Sequence, residues 1–124
     1  LSNQPIPIYG DGLNVRDWLY VLDHAKGIEL AFKKGLAGQT YNIGGRNERT
    51  NMQIVNTICS ILDSQSPRSD GRSYKNQITF VKDRAGHDRR YAIDATKIET
   101  QLGWKAEENF ETGILKTIHW YLTH

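Results

Sequence analysis

Apolar and polar positions follow two different periods along this 124-residue chain, and each change of period marks a change of element. Ile6-Pro7-Ile8-Tyr9 is a short extended run, because Pro7 biases Ile6 away from helical angles. Gly10-Asp11-Gly12 turns the chain, and Val15 to Tyr20 is a second β-rich run. Asp23 is placed to cap a helix that buries Ile28, Ala31 and Phe32 and stops at Gly35, a residue suited to the left-handed position after a helix. Thr40 to Gly44 reads as a compact strand ending in paired glycines. Thr50 or Asn51 caps the next helix, in which Ile54, Val55, Ile58, Cys59, Ile61 and Leu62 recur at helical spacing on one broad face.

Ser, Pro, Arg, Asp and Gly crowd together from Ser64 to Asn76, which predicts a loop. Ile78-Thr79-Phe80-Val81 predicts a strand. The polar segment from Asp83 to Arg90 predicts irregular chain, and Tyr91-Ala92-Ile93 a short extended piece. Asp94 is placed to cap a brief helix that carries Ile98 and Leu102 and is closed by Gly103. A last helix sets Phe110, Ile114, Leu115, Ile118 and Leu122 on one side. These elements sum to an α/β chain of the α+β kind, with short strands and alternating helices.

Composition narrows the picture only slightly. Hydrophobic residues at 38% and charged residues at 24% fit a globular domain rather than a disordered chain. A net charge of +2 gives no reason to expect nucleic acid or a membrane surface as partner. Cys59 is the single cysteine, which excludes an internal disulfide and a cysteine metal cluster and predicts a buried thiol in a reduced, cytoplasmic protein. No initiator methionine stands at Leu1, and Leu1 to Gln4 reads as the tail of an interrupted helix, so a piece of a longer protein is expected.

The densest chemistry lies in Lys82-Asp83-Arg84-Ala85-Gly86-His87-Asp88-Arg89-Arg90. The planar fork of arginine suits phosphate oxygens, a nearby histidine adds a hydrogen bond, and Gly86 lets the backbone turn between them. The same run is also compatible with a solvated loop held by ion pairs from Asp83 and Asp88. In Val15-Arg16-Asp17-Trp18, Arg16 either reaches a phosphate braced by Asp17 or forms a structural pair with it. Tyr9 can stack on a base or simply pack. Asn51 is a cap or a first-turn residue at the positive end of a helix dipole, where anions collect. Gly10-Asp11-Gly12 is not a dinucleotide loop, because Val15 stands in the third glycine's place. Trp18, Trp104 and Trp120 read as core or interface anchors.

Taken in order, Ile6 to Gly10, Val15 to Val21 and Tyr41 to Gly45 resemble extended short-chain dehydrogenase/reductases acting on nucleotide sugars. Asn47-Glu48-Arg49-Thr50-Asn51 and Asp83-Arg84-Ala85-Gly86-His87-Asp88-Arg89-Arg90-Tyr91-Ala92-Ile93-Asp94, with Leu102-Gly103-Trp104 and Trp120-Tyr121-Leu122, narrow the resemblance to the dTDP-glucose 4,6-dehydratases. It covers essentially the whole chain. Ala85 departs from it by replacing a customary proline, and Leu22 by replacing an acidic residue.

The resemblance implies the carboxy-terminal, nucleotide-sugar-binding portion of an NAD-dependent lyase. In that family hydride passes from the sugar to NAD, water is lost across C5–C6, and the hydride returns to C6. Pro7 and Tyr9 match positions at the base, Arg16 a diphosphate ligand, Asn51 a nucleotide contact, and Arg84 and His87 the pair holding the diphosphate and ribose end. No residue here matches a catalytic position: the family's Gly-x-x-Gly-x-x-Gly loop, Tyr-x-x-x-Lys pair and Asp-Glu pair are not found, so NAD is expected in an amino-terminal Rossmann domain outside this chain. The Asp23 helix and the Thr40–Gly44 strand are expected to complete that domain's sheet, leaving an apolar helix face uncovered here. The complete protein is expected to be a homodimer. A UDP-glucuronate decarboxylase, a UDP-glucose dehydratase and a non-catalytic nucleotide-diphosphate-binding module are the alternatives.

Overall fold

The computed structural model describes residues 1–124, which divide into two compact units. The first unit comprises residues 1–15 and 49–90, and the second residues 16–48 and 91–124.

In the first unit, β1 (Ile6–Tyr9) pairs in parallel with β4 (Ile78–Val81), with Ile8 opposite Phe80 and Tyr9 opposite Val81. Parallel neighbours need a crossover, and here it includes α2 (Asn51–Gln65) and a 3-10 turn at Tyr74–Gln77. Helix α2 is buried at Ile54 and Cys59, so its apolar stripe supplies core as its spacing predicts. Cys59 is a free, buried thiol, and burial pushes its pKa up. The helix runs on to Gln65, beyond the predicted loop start, and Tyr74 is buried rather than looped out. Asp63 explains both: its carboxylate accepts from Ser73 Oγ at 2.5 Å and Tyr74 N at 2.8 Å, folding the returning chain onto the helix end. Leu1 to Gln4 is not helical, contrary to the reading of these residues as a helix tail, and Asn3 has φ 58°.

The strand β2 (Val15–Asp17) is shorter than the predicted run to Tyr20 and pairs with β3 (Glu48–Thr50). Past the strand, Trp18 N still donates to Asn47 O at 3.0 Å, and the Asp17 carboxylate accepts from Gly45 N at 2.8 Å and Asn47 N at 2.7 Å, so the chain beyond Asp17 is held by the 45–47 turn.

The second unit packs α1 (Val21–Lys34), α3 (Thr96–Leu102) and α4 (Phe110–Thr123). Its core centres on Ala95, Ile98 and Trp104, with Leu30, Tyr41 and Ile43 against them. Gly27 allows the close approach: a Cβ there would stand 3.0 Å from Ile43 and 3.1 Å from the Trp104 indole nitrogen. Asp23 does not cap α1, which begins two residues earlier. It is buried and satisfied across the unit, its carbonyl by Trp104 Nε1 at 3.1 Å and its carboxylate by Glu108 N at 2.9 Å. Asp94 does not cap α3 either, since the cap position is Ala95, one residue later; the Asp94 carboxylate accepts from Thr96 N at 2.9 Å from just outside the helix, and Gly103 closes α3 at φ 71°.

Expectations drawn from spacing alone fail here for want of packed or paired neighbours, although the uncovered helix face that the resemblance implies is present. Ile28 and Phe32 are exposed, Phe32 at 89%, on an α1 face that also shows Val21 to solvent, and Leu36 just past the helix is exposed too. Leu115 is exposed on α4. Residues 40–44 form no strand, since a ladder requires a hydrogen-bonding neighbour, and Tyr91 to Ile93 form none either. Gly35 ends α1 in extended rather than left-handed conformation, at φ −66°.

Candidate functional site

Five of the six sequence-predicted site residues lie in the first unit. The parallel register carries β1 and β4 to the same end of their sheet, where Gly10 N donates to Val81 O at 3.0 Å. The turn after Tyr9 and the loop after Val81 therefore leave side by side. Pro7 and Tyr9 alternate with Ile8, so they face away from the core that buries Ile8.

The 82–90 loop is tied down at both ends. At its far end, Val15 N donates to Arg89 O at 2.8 Å and Asn14 Nδ2 to Asp88 O at 3.1 Å, while Arg89 bridges both Asp11 carboxylate oxygens at 2.8 and 3.1 Å. That contact, followed by the Leu13 N–H, holds the Asp11 carboxyl below its usual range. Between the anchors, His87 N donates to Arg84 O at 3.2 Å and closes a turn with Gly86 at φ 68°, the position that needs a left-handed residue in a type II turn.

Within this frame Asp83 pairs with histidine rather than with an arginine, its Oδ1 standing 2.6 Å from His87 Nδ1 and 2.8 Å from Arg84 N. The histidine contact is the main cause that lowers the Asp83 pKa. Arg84 is left without an ion pair and lies over the Tyr9 ring, 5.2 Å from its centroid. Within the loop, then, Arg89 does structural work by pairing with Asp11, and Arg84 keeps its donors.

Asn51 occupies the first turn of α2, and Thr50 is the cap. Thr50 Oγ1 accepts from Gln53 N at 3.1 Å, and Gln53 Oε1 accepts from Thr50 N at 2.8 Å. Asn51 N donates to Asn14 O at 3.0 Å and Met52 N to Gly12 O at 2.9 Å. The first three N–H groups of α2 are therefore committed to protein, which overturns the expectation of an anion site on this helix end and leaves the Asn51 carboxamide as its contribution. The signal that could have shown this is the Thr50–Gln53 capping-box spacing.

Arg16 belongs to the second unit, where its guanidinium lies over the Tyr91 ring at 4.7 Å. Asp17, with both oxygens on backbone N–H groups, secures the 45–47 turn.

The one glycine segment that could start a dinucleotide loop does not fit that role. Gly10-Asp11-Gly12 leads from a strand into another strand rather than into a helix, and a Cβ on Gly10 would meet Asp83 Oδ2 at 2.8 Å, so this glycine serves an internal contact. No group of three His, Cys, Asp or Glu side chains is arranged to hold a metal ion, and no helix is long and apolar enough to cross a membrane.

Comparison with known proteins agrees with the sequence pattern. Residues 1–117 match the family model described as GDP-mannose 4,6 dehydratase. The chain is 59% identical over 122 residues to a probable dTDP-glucose 4,6-dehydratase of Sinorhizobium fredii, covering 98% of this chain and 34% of that protein. The dTDP-glucose 4,6-dehydratase of Bacillus anthracis, solved in complex with NAD, superposes with a TM-score of 0.82 at 44% identity over 98% of this chain and 35% of that one. The same enzyme type from Streptomyces venezuelae, solved with NAD and TYD bound, gives 0.81 at 38% identity over 98% and 35%. The chain thus spans about a third of the length of the curated relatives it matches. With the family model covering nearly every residue and the fold matching the C-terminal part of those dehydratase structures, the chain belongs to the GDP-mannose 4,6 dehydratase family.

Proposed function

We propose that this chain is the nucleotide-sugar-binding part of an NAD-dependent dTDP-glucose 4,6-dehydratase, a lyase that converts dTDP-glucose to the 4-keto-6-deoxy sugar and water. Its own task is to grip the dTDP moiety. Pro7 and Tyr9 border the base, Arg84 and Arg16 take the diphosphate, Asn51 contributes its carboxamide, and His87 meets the ribose end. NAD and the catalytic groups belong to a Rossmann domain outside these residues, and the complete enzyme is a homodimer.

The observation that carries this reading is the Arg84 guanidinium, free of any carboxylate partner and held over Tyr9 on a loop anchored at both ends. An unpaired arginine on a rigid turn is a pre-organised anion donor, since little rotamer freedom remains to be lost on binding. The high identity to dTDP-glucose dehydratases supports the choice of nucleotide sugar.

Incubation of the full-length protein with NAD and dTDP-glucose tests it, the sugar product being followed by mass spectrometry. Loss of one water from dTDP-glucose, with no reaction on UDP-glucose, is expected. Dehydration of UDP-glucose or decarboxylation of UDP-glucuronate in preference would replace this reading with one of its UDP-sugar alternatives. Binding of dTDP without any turnover would replace it with the non-catalytic module.

A further inference from the structure

We propose that Asp83 is a positioning residue that fixes the tautomer of His87 and so determines which ring nitrogen a ligand meets. The inference rests on the reading of His87 as a ligand contact. An ionised carboxylate has only acceptors, so the 2.6 Å contact between Asp83 Oδ1 and His87 Nδ1 requires the hydrogen on Nδ1. In the neutral ring Nε2 then carries a bare lone pair. The imidazole side chain is only 6% exposed, and Nε2 has no protein partner. A bare Nε2 complements a hydroxyl of the nucleoside or sugar, whereas a phosphate oxygen needs a donor, which Arg84 supplies. The two ligand residues thereby take different groups of one nucleotide sugar.

The carboxylate that makes this division is itself held. The same Oδ1 accepts from Arg84 N at 2.8 Å, so one oxygen sets both ends of the turn that carries the two ligand residues. Oδ2 lies against Gly10, where a Cβ would approach to 2.8 Å, so a larger residue at that position would push the carboxylate off the ring. Lys82 and Arg84 flank Asp83 in sequence, and Asp11, which is paired with Arg89, lies close enough to act on its charge. Because Asp83 lies behind the imidazole, it acts only through His87.

The test uses the full-length protein with the His87 ring nitrogens followed by 15N–1H correlation, beside dTDP titration. In the unaltered protein Nδ1 is expected to carry the hydrogen at neutral pH. Asp83→Ala should shift the ring toward the Nε2–H form and weaken dTDP binding about tenfold, while Asp83→Asn, which keeps an acceptor, should stay within about threefold of the parent. An unshifted tautomer in Asp83→Ala overturns the proposal, whatever the affinity does. If the parent fails to bind dTDP, the functional reading above fails instead, and the tautomer measurement still decides the role of Asp83.

Discussion

The Arg84 guanidinium stands 5.2 Å from the centre of the Tyr9 ring, so the cation expected at the diphosphate and the aromatic expected at the base are in contact with each other. One face of the Tyr9 ring is therefore occupied by arginine. An exposed pair of this kind couples by about 0.5–1 kcal/mol. A double-mutant cycle on Tyr9→Leu and Arg84→Gln should return a coupling of that size in denaturant unfolding, and Tyr9→Phe should leave it intact. A cycle that closes to zero would show that the two side chains are merely adjacent.

Ala85 sits at the second position of the Arg84–His87 turn, where a type II turn favours proline, and Gly86 already supplies the left-handed third position. The Ala85 N–H takes part in no hydrogen bond that proline would remove. Ala85→Pro should stabilise the chain by about 0.4–1 kcal/mol through the unfolded state, read as a raised melting temperature.

Thr50 and Asn51 are adjacent but separable. Thr50→Ala removes the acceptor for Gln53 N and should cost about 1 kcal/mol of stability. Asn51→Ala keeps every backbone contact at the helix start and should change stability by less than about 0.5 kcal/mol while weakening nucleotide binding. Chemical denaturation and ligand titration of both variants distinguish the roles.

Acid should open the first unit at its loops. Asp83, Asp11 and Asp63 all have pKa values lowered below 3.8, by His87, by Arg89 and by Ser73 respectively as leading cause. A depressed carboxylate contributes stability that is fully present above its unfolded value and is lost as pH falls through the folded one. Stability should therefore be level from neutrality to about pH 5 and fall steeply below about pH 4. Asp63→Asn should flatten that fall, and an unchanged acid limb would contradict the role given to these carboxylates.

The fold was legible wherever an element carries its own period or stop signal. Ile54 to Leu62 shows its helix by spacing, Gly103 shows the end of α3, and Pro7 with the Ile78–Val81 run shows the paired strands. What was not legible depended on residues far apart in the chain. Asp23 looks like a cap in sequence but is a buried acceptor for Glu108, 85 positions away. Thr40 to Gly44 has strand composition without a strand neighbour, and Phe32 has helix-face spacing without a packed face, an exposure that the resemblance implies but the spacing does not. At the site, the residue types of the 82–90 loop were evident, but which arginine is structural was not. Asp11, not an acid within the loop, claims Arg89 and leaves Arg84 available.

The central claim is that Arg84 grips the nucleotide diphosphate while NAD is held elsewhere. Calorimetric titration of the full-length protein and its Arg84→Ala variant with dTDP, and separately with NAD, tests it most directly. Loss of charge-assisted hydrogen bonds should weaken dTDP binding by about 10- to 100-fold and leave the NAD affinity unchanged. Unchanged dTDP affinity, or an equal loss toward both ligands, would contradict the account.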